Sequence, residues 1–202
     1  MKKILFKFII TLLLVFGCSK VEADFRNVNW GMSEEEVKKK ETATFIKKRQ
    51  DKEKKNITYL NYKTELMNFP AKLIYEFKEN KLKIAMYFFE HNFKESSEID
   101  LKDFYDKVVD DYKQINDLLI DKYGDTFEKK YPRVFDTDKD IRNLGEALLS
   151  EKLNSLSHIW DKNNMTIKHS LFSYGDSNLF HCIEYFGSDI SKKEKTEALE
   201  DI

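Results

Sequence analysis

Two segments of alternating hydrophobicity, joined by a short polar turn, constrain the fold of this 202-residue chain most strongly. From Pro70 to Lys78 every second residue is apolar, and the alternation continues from Leu82 to Phe88 after the turn Glu79-Asn80. Because side chains alternate between the faces of a strand, the pattern predicts an antiparallel hairpin. The residues expected on the apolar faces of its two strands are Ala71, Leu73, Tyr75 and Phe77, and then Leu82, Ile84, Met86 and Phe88.

Similar runs before and after this hairpin predict that it belongs to one antiparallel sheet of about seven strands. A short strand-like segment at residues 25–30 comes first, and the charged segment from Arg49 to Lys55 reads as an exposed loop between two strands. The other predicted strands are Thr42 to Lys48, Ile57 to Lys63, Leu156 to Asp161, Met165 to Ser173 and Leu179 to Phe186. Residues 126–137 are expected to be irregular.

Two or three helices are predicted to pack on one face of this sheet. Ser33 and Glu36 match a capping box that begins a short helix from Glu34 to Glu41. An apolar stripe with helical spacing runs from Asp100 to Tyr123, and Gly124 suits its C-terminal cap. A further helix is predicted from Asp138 to Leu153. The sequence therefore predicts an α+β fold, arranged as a tandem repeat of a helix and a meander.

The N-terminal residues predict a secreted protein that is anchored to a membrane by a lipid. Lys2 and Lys3 precede an apolar segment that is shorter than the roughly 20 residues of a transmembrane helix. The following Val15-Phe16-Gly17-Cys18 resembles the lipobox of bacterial lipoproteins. The resemblance implies that residues 1–17 are a cleaved signal peptide and that Cys18 is lipidated, so that residues 18–24 form a tether.

Charge and cysteine content bound the remaining chain. Cleavage would remove three of the 35 basic residues and none of the 36 acidic ones, so nothing favours nucleic acid as a partner. With Cys18 lipidated, only Cys182 remains, which excludes an intramolecular disulfide. Residues 25–187 are expected to form a single folded domain, followed by a charged tail at residues 188–202.

A resemblance to envelope lipoproteins rests on several short matches across the domain. Trp30-Gly31-Met32-Ser33 before a short helix resembles the opening of a broad group of uncharacterised bacterial envelope lipoproteins. Pro70-Ala71, Tyr123-Gly124 and Trp160 before a strand with Thr166 and Ile167 are further matches. More distantly, Gly31-Met32-Ser33 with Val37 is similar to the helix start of the SmpA/OmlA (BamE) family and of β-lactamase-inhibitor-like domains. The chain lacks the Gly-x-Pro element of the former.

The histidines and Cys182 are the first candidates for a metal or reactive site. His169 and His181 lie on adjacent predicted strands, with His158 one strand earlier. His181 and Cys182 are neighbours on one strand and therefore point to opposite faces, so they cannot easily bind one ion. No zinc-binding spacing is present. We therefore expect no metal, and interpret the histidines as surface or partly buried residues and Cys182 as an inert core residue.

No motif selects a catalytic residue or a cofactor, so no enzyme is predicted. The chain has neither a nucleophile elbow nor a glycine-rich phosphate loop, and its acidic residues show no selective spacing. An aromatic set around the hairpin is either core or a binding surface: Tyr59, Tyr62, Tyr75, Tyr87, Phe88 and Phe89.

The function expected from these observations is a non-enzymatic interaction module of the cell envelope. It would be held on the extracytoplasmic side by the lipid on Cys18, with an envelope protein as its partner. In a Gram-negative cell, Ser19 after the lipidated cysteine favours the outer membrane. Two alternatives stay open, a small-ligand carrier that uses the aromatic face as a pocket, and a hydrolase with an unrecognised acidic pair.

Overall fold

The sheet dominates the computed structural model, which describes residues 23–91, 98–126, 128–130, 155–162, 164–174, 178–188 and 190. Seven long strands and one strand of three residues form a single antiparallel sheet. The strands are β1 (Thr44–Gln50), β2 (Ile57–Leu66), β3 (Phe69–Lys78), β4 (Lys81–Phe89), β5 (Glu128–Lys130), β6 (Ser155–Lys162), β7 (Met165–Tyr174) and β8 (Asn178–Gly187). The predicted α+β fold class is confirmed.

Two helices are described, and both begin and end within two residues of their predicted bounds. Helix α1 covers Glu34–Lys40, and the predicted capping box of Ser33 and Glu36 is present at its start. Helix α2 covers Glu98–Tyr123 and is followed by Gly124, whose φ of 77° is the left-handed conformation expected of a C-terminal cap. The predicted helix from Asp138 to Leu153 lies outside the described residues. Neither described helix has the combination of length and hydrophobicity that crossing a membrane requires.

The strand order β1-β2-β3-β4-β8-β7-β6-β5 has the symmetry of a tandem repeat. Among the described elements, each half has one helix followed by four antiparallel strands, and the last strand of the first half pairs with the last strand of the second. Both helices contribute to the core on the same face of the sheet, where Val37 of α1 and Ile115 and Leu119 of α2 are completely buried. One face of this continuous sheet is therefore shared by both halves.

A β-bulge at Lys83 corrects the predicted faces of the return strand. Phe77 pairs with Leu82 and Glu76 pairs with Ile84, so Lys83 is an extra residue. After the bulge, odd-numbered residues of β4 face the helices, whereas before it the even-numbered Leu82 does. The residues of β4 that face the helices are Leu82, Ala85, Tyr87 and Phe89, whereas Ile84, Met86 and Phe88 are half-buried on the opposite face.

Two further predictions are wrong in detail. Residues 25–30 form no strand, because Phe25 and Val28 pair with each other across a tight turn, in which Arg26 has a φ of 51°. Residues 126–137 are not wholly irregular, since β5 lies within them and pairs with β6. Both short segments were beyond the reach of periodicity, which needs several successive residues to distinguish a strand from a turn.

Candidate functional site

All four histidines of the protein meet on the helix-covered face of the sheet. His158 and His169 are direct partners across β6 and β7, and His181 lies on β8 beside Phe89 of β4. His91 follows Phe89 by two residues and lies edge to edge with His181 in nearly the same plane, with ring centroids 5.2 Å apart and an interplanar angle of 4°. The antiparallel register therefore gathers residues that are up to 90 positions apart in sequence.

Three of the rings form one hydrogen-bonded chain, which we call the histidine chain (His91, His181 and His169). Nε2 of His91 lies 2.9 Å from Nδ1 of His181. Nε2 of His181 lies 2.9 Å from Nε2 of His169, whose Nδ1 is 3.4 Å from Oδ1 of Asn116 on α2. The histidine chain therefore extends from the end of β4, across β8 and β7, to helix α2 on the same face of the sheet.

Helix α2 holds the histidines from above. The ring of Tyr112 stacks on that of His169 with a centroid separation of 4.1 Å. Its hydroxyl oxygen lies 2.7 Å from Nδ1 of His158. Asn116, one turn further along the helix, contacts the inner end of the histidine chain. Asp111 lies near its outer end, with Oδ2 3.9 Å from Nδ1 of His91.

Burial keeps the three imidazoles of the histidine chain neutral at neutral pH. His169 and His181 are completely buried, and desolvation holds the pKa of each well below the ordinary value. Neighbouring histidines lower both pKa values further. Burial also lowers the pKa of His91, although the nearby carboxylate of Asp111 opposes the shift.

Neutral rings fix the order of protons along the histidine chain. A neutral imidazole has one donor and one acceptor nitrogen. Because Oδ1 of Asn116 accepts from Nδ1 of His169, Nε2 of His169 accepts from His181, and Nδ1 of His181 then accepts from Nε2 of His91. This order is assigned from the hydrogen-bond partners. It leaves Nδ1 of His91 as an unprotonated acceptor at the outer end.

A cavity of about 280 Å³ opens beside that nitrogen, and we call it the His91 cavity. Its walls combine apolar and aromatic side chains with a few polar groups from β3, the end of β4 and α2. They are Phe69, Pro70, Phe89, Glu90, His91, Phe104, Lys107, Val108 and Asp111. Nζ of Lys107 lies 3.2 Å from Oδ2 of Asp111, and Glu90 pairs with Lys72. The cavity is close to the lower end of the volume range of small-ligand sites, about 300–1,000 Å³.

A second buried polar cluster lies at the start of the domain. Arg26 donates to both carboxylate oxygens of Glu41, over 3.2 Å and 2.9 Å, and to the hydroxyl of Tyr87 over 3.0 Å. Tyr75 donates to the same carboxylate, whose side chain has no exposed surface. Because every nitrogen of the Arg26 guanidinium is engaged, this cluster is best explained as an anchor that holds residues 24–30 on the sheet. A cavity of about 520 Å³ adjoins it.

The outcomes for the sequence-predicted site residues differ. Cys18 lies outside the described residues, so its lipidation stays a prediction. Cys182 is buried as a free thiol on the face opposite to His181, as parity predicted. The interpretation of the histidines as surface or partly buried residues is wrong for His158, His169 and His181, all three of which are buried. Among the described residues, no group of three or more His, Cys, Asp or Glu side chains is arranged to hold a metal ion.

The aromatic set around the hairpin divides between the two faces of the sheet. Four of its members are buried under the helices, namely Tyr62, Tyr75, Tyr87 and Phe89. Tyr59 and Phe88 are half-buried on the other face, where the ring of Phe88 packs against Phe180 with centroids 5.7 Å apart. Most of the set is therefore core, and Phe89 also lines the His91 cavity.

Sequence reasoning missed His91, Asp111 and Asn116 as members of the site. Their contacts depend on the pairing of β4 with β8, which joins the two halves of the sheet, and on the rotation of α2. The only sequence signal is the position of His91 two residues beyond Phe89, which extends the buried side of β4.

Comparison with known proteins found no match among family models, curated proteins or solved structures. The resemblance to envelope lipoproteins therefore stays a prediction.

Proposed function

We propose that this chain is a lipid-anchored extracytoplasmic protein that binds a small ligand in the His91 cavity. One observation carries the proposal: Nδ1 of His91 is an acceptor at the wall of a largely apolar cavity. An unprotonated imidazole nitrogen that faces a cavity can accept a hydrogen bond from a donor placed there. The side chain of His91 is only 9% exposed, and the nearest carboxylate oxygen, on Asp111, is 3.9 Å away.

The histidine chain supports this proposal because it orients His91. A hydrogen bond from Nε2 to His181 holds the ring, and the chain behind it fixes which nitrogen is unprotonated. Binding sites typically combine apolar walls with a few well-oriented polar groups. The His91 cavity has this composition, and its size suits a compact ligand. The sequence also allows a small-ligand carrier, with the aromatic set around the hairpin as its pocket. The proposed pocket is instead lined by Phe69, Phe89 and Phe104, of which only Phe89 belongs to that set.

Titration of the mature protein with benzyl alcohol tests the proposal. The four histidines give four Cε1–H signals in a 13C-labelled sample. We expect the signal of His91 to shift saturably with a dissociation constant of about 1 mM, the affinity reasonable for eight heavy atoms. The variant Val108→Phe, which fills the cavity, should lose this response, and Ile46→Ser on the exposed strand β1 should keep it. Absence of a saturable shift in the parent protein would refute the proposal.

An interaction module with an envelope protein as partner is a second proposal, and the edge strand β1 favours it. All seven residues of β1 are exposed, including the apolar Phe45 and Ile46. Lys47, Lys48 and Arg49 follow, and the register shifts between Phe45 and Lys47. Charge and a bulge on an edge strand oppose indiscriminate strand pairing. A partner at β1 would therefore need complementary acidic groups.

Site-specific crosslinking in native membranes tests this second proposal. A photoreactive residue at Ile46 should give an adduct that Lys47→Glu abolishes, whereas the same residue at Lys63, on the neighbouring strand, serves as the control. An Ile46 adduct insensitive to the charge reversal would contradict an acidic partner at this edge.

The hydrolase alternative also stays a prediction. Two carboxylates, Glu90 and Asp111, line the His91 cavity. Each forms an ion pair with a lysine, Lys72 and Lys107 respectively, and these pairs favour a binding role for the carboxylates.

A further inference from the structure

We infer that the His91 cavity takes an organic amine, bound as its ammonium ion with an apolar body. The inference rests on the proposed binding function and adds the chemical class of the ligand. Acceptors outnumber donors at the cavity wall. Nδ1 of His91 and the carboxylates of Asp111 and Glu90 accept hydrogen bonds, whereas Lys107 is the one side-chain donor among the described lining residues.

The spacing of two acceptors suits a single ammonium nitrogen. Charge-assisted N–H···O bonds have lengths of about 2.7–2.9 Å. Nδ1 of His91 and Oδ2 of Asp111 are 3.9 Å apart. One nitrogen at about 2.8 Å from each atom subtends an angle near 90° between them, which is close to the spread of two N–H bonds on an ammonium group. The amine would therefore complete the hydrogen bond that the histidine chain leaves open.

The ammonium group of Lys107 shows that a positive charge is accommodated beside Asp111, and a ligand can displace it from there. Its ammonium group pairs with Asp111 from the preceding turn of α2, but 73% of the lysine side chain is exposed. Water reaches the lysine end of this pair and a long side chain must be held in place, so the contact contributes little to holding Lys107 there, although the side chain of Asp111 is only 12% exposed. A ligand ammonium can therefore replace Lys107 at the carboxylate while the lysine moves into solvent.

The walls of the cavity suit the rest of such a ligand. Phe69, Phe89 and Phe104 line it, and the rings of Phe69 and Phe89 pack edge to face with centroids 6.3 Å apart. Aromatic rings attract cations and also bury an apolar body. An anion would meet two carboxylates. It would also lack a donor from His91, because the Nε2 proton of that ring is committed to His181.

Three probes of the same shape distinguish the ligand classes: benzylamine, benzyl alcohol and benzoate. Titrated into the mature protein by calorimetry, the amine should bind about tenfold more tightly than the alcohol, and benzoate should bind most weakly. Asp111→Asn should reduce the affinity for the amine to that for the alcohol. Asp110→Asn, at a 68% exposed neighbour on the same helix, is the matched control and should change neither affinity.

Lys107→Gln gives a second test in the opposite direction. It removes the competing cation at an exposed position, so the affinity for benzylamine should rise severalfold while that for benzyl alcohol stays constant. This variant keeps the test decisive if Asp111→Asn disturbs folding. Binding of the alcohol as tightly as the amine, or tighter binding of benzoate, would overturn the inference and leave the binding function standing. Failure of all three probes to bind would instead refute the binding function itself.

Discussion

Nε2 of His169 lies 2.9 Å from Nε2 of His181, a distance at which only one of the two nitrogens can carry the shared proton. Both rings are completely buried, and the histidine chain accommodates no additional proton between them without leaving two N–H groups face to face. Protonation of this site is therefore coupled to unfolding, which gives the first prediction.

Replacement of His169 by Gln should reduce the dependence of stability on pH. Because the folded pKa of His169 is depressed, the unfolded chain binds more protons below the ordinary pKa of 6.5. The stabilising contribution is thus complete above pH 6.5 and is lost as the pH falls. Between pH 6.5 and 5.5 the free energy of unfolding should fall more steeply in the parent protein than in the variant, by up to about 1.4 kcal/mol per pH unit.

Urea denaturation of both proteins at matched ionic strength measures this difference. The comparison between variants matters because Glu184, whose pKa burial raises to about 7, titrates with the opposite sign. Its contribution is common to both proteins and cancels. Parallel pH profiles for the two proteins would contradict the buried, neutral state of His169.

Tyr112→Phe should destabilise the protein by about 1–2 kcal/mol while keeping the ring stacked on His169. The cost arises because the buried Nδ1 of His158 loses its hydrogen bond to the tyrosine hydroxyl. Urea denaturation gives the free energy, and the ring signal of His158 should move while that of His91 stays in place. An unchanged His158 signal would argue against this contact.

Glu41→Gln should cost about 3 kcal/mol or more, because it leaves the guanidinium of Arg26 without its carboxylate in a buried setting. The comparison is Glu35→Gln, which breaks the exposed pair with Lys38 and should leave the free energy of unfolding unchanged within error. Equal effects of the two substitutions would mean that the Arg26 cluster does not anchor residues 24–30.

Cys18→Ala tests the predicted anchor. The parent protein should incorporate radiolabelled palmitate and sediment with membranes, whereas the variant should do neither, because the thiol that carries the lipid is absent. Labelling and membrane retention of the variant would refute lipidation at Cys18.

The longer elements of this fold were predictable because each carries a local pattern. Alternation identified β2, β3, β6, β7 and β8, and helical spacing with its caps identified both helices. The bulge at Lys83 has no such pattern, since an inserted residue is recognised only against its partner strand. The faces assigned to β4 were wrong for that reason.

The candidate site was only partly predictable. Parity separated Cys182 from His181 correctly, because it requires only neighbouring positions on one strand. The meeting of His91 with His181 requires the long-range pairing of β4 and β8, and the contact of His169 with Asn116 requires the orientation of α2. Neither relation leaves a local trace in the sequence.

The bulge at Lys83 also has a consequence at a distance. His91 lies about eight residues after the bulge, which is roughly 26 Å along an extended chain. Because side chains alternate between the two faces of a strand, the bulge determines which face of the sheet His91 is on. If Lys83 instead paired with Glu76 in an unbroken ladder, Tyr87, Phe89 and His91 would face outward together, and Phe88 would lie under the helix. The ligand cavity therefore depends on the bulge that accommodates Lys83, a residue that is not among those lining the cavity.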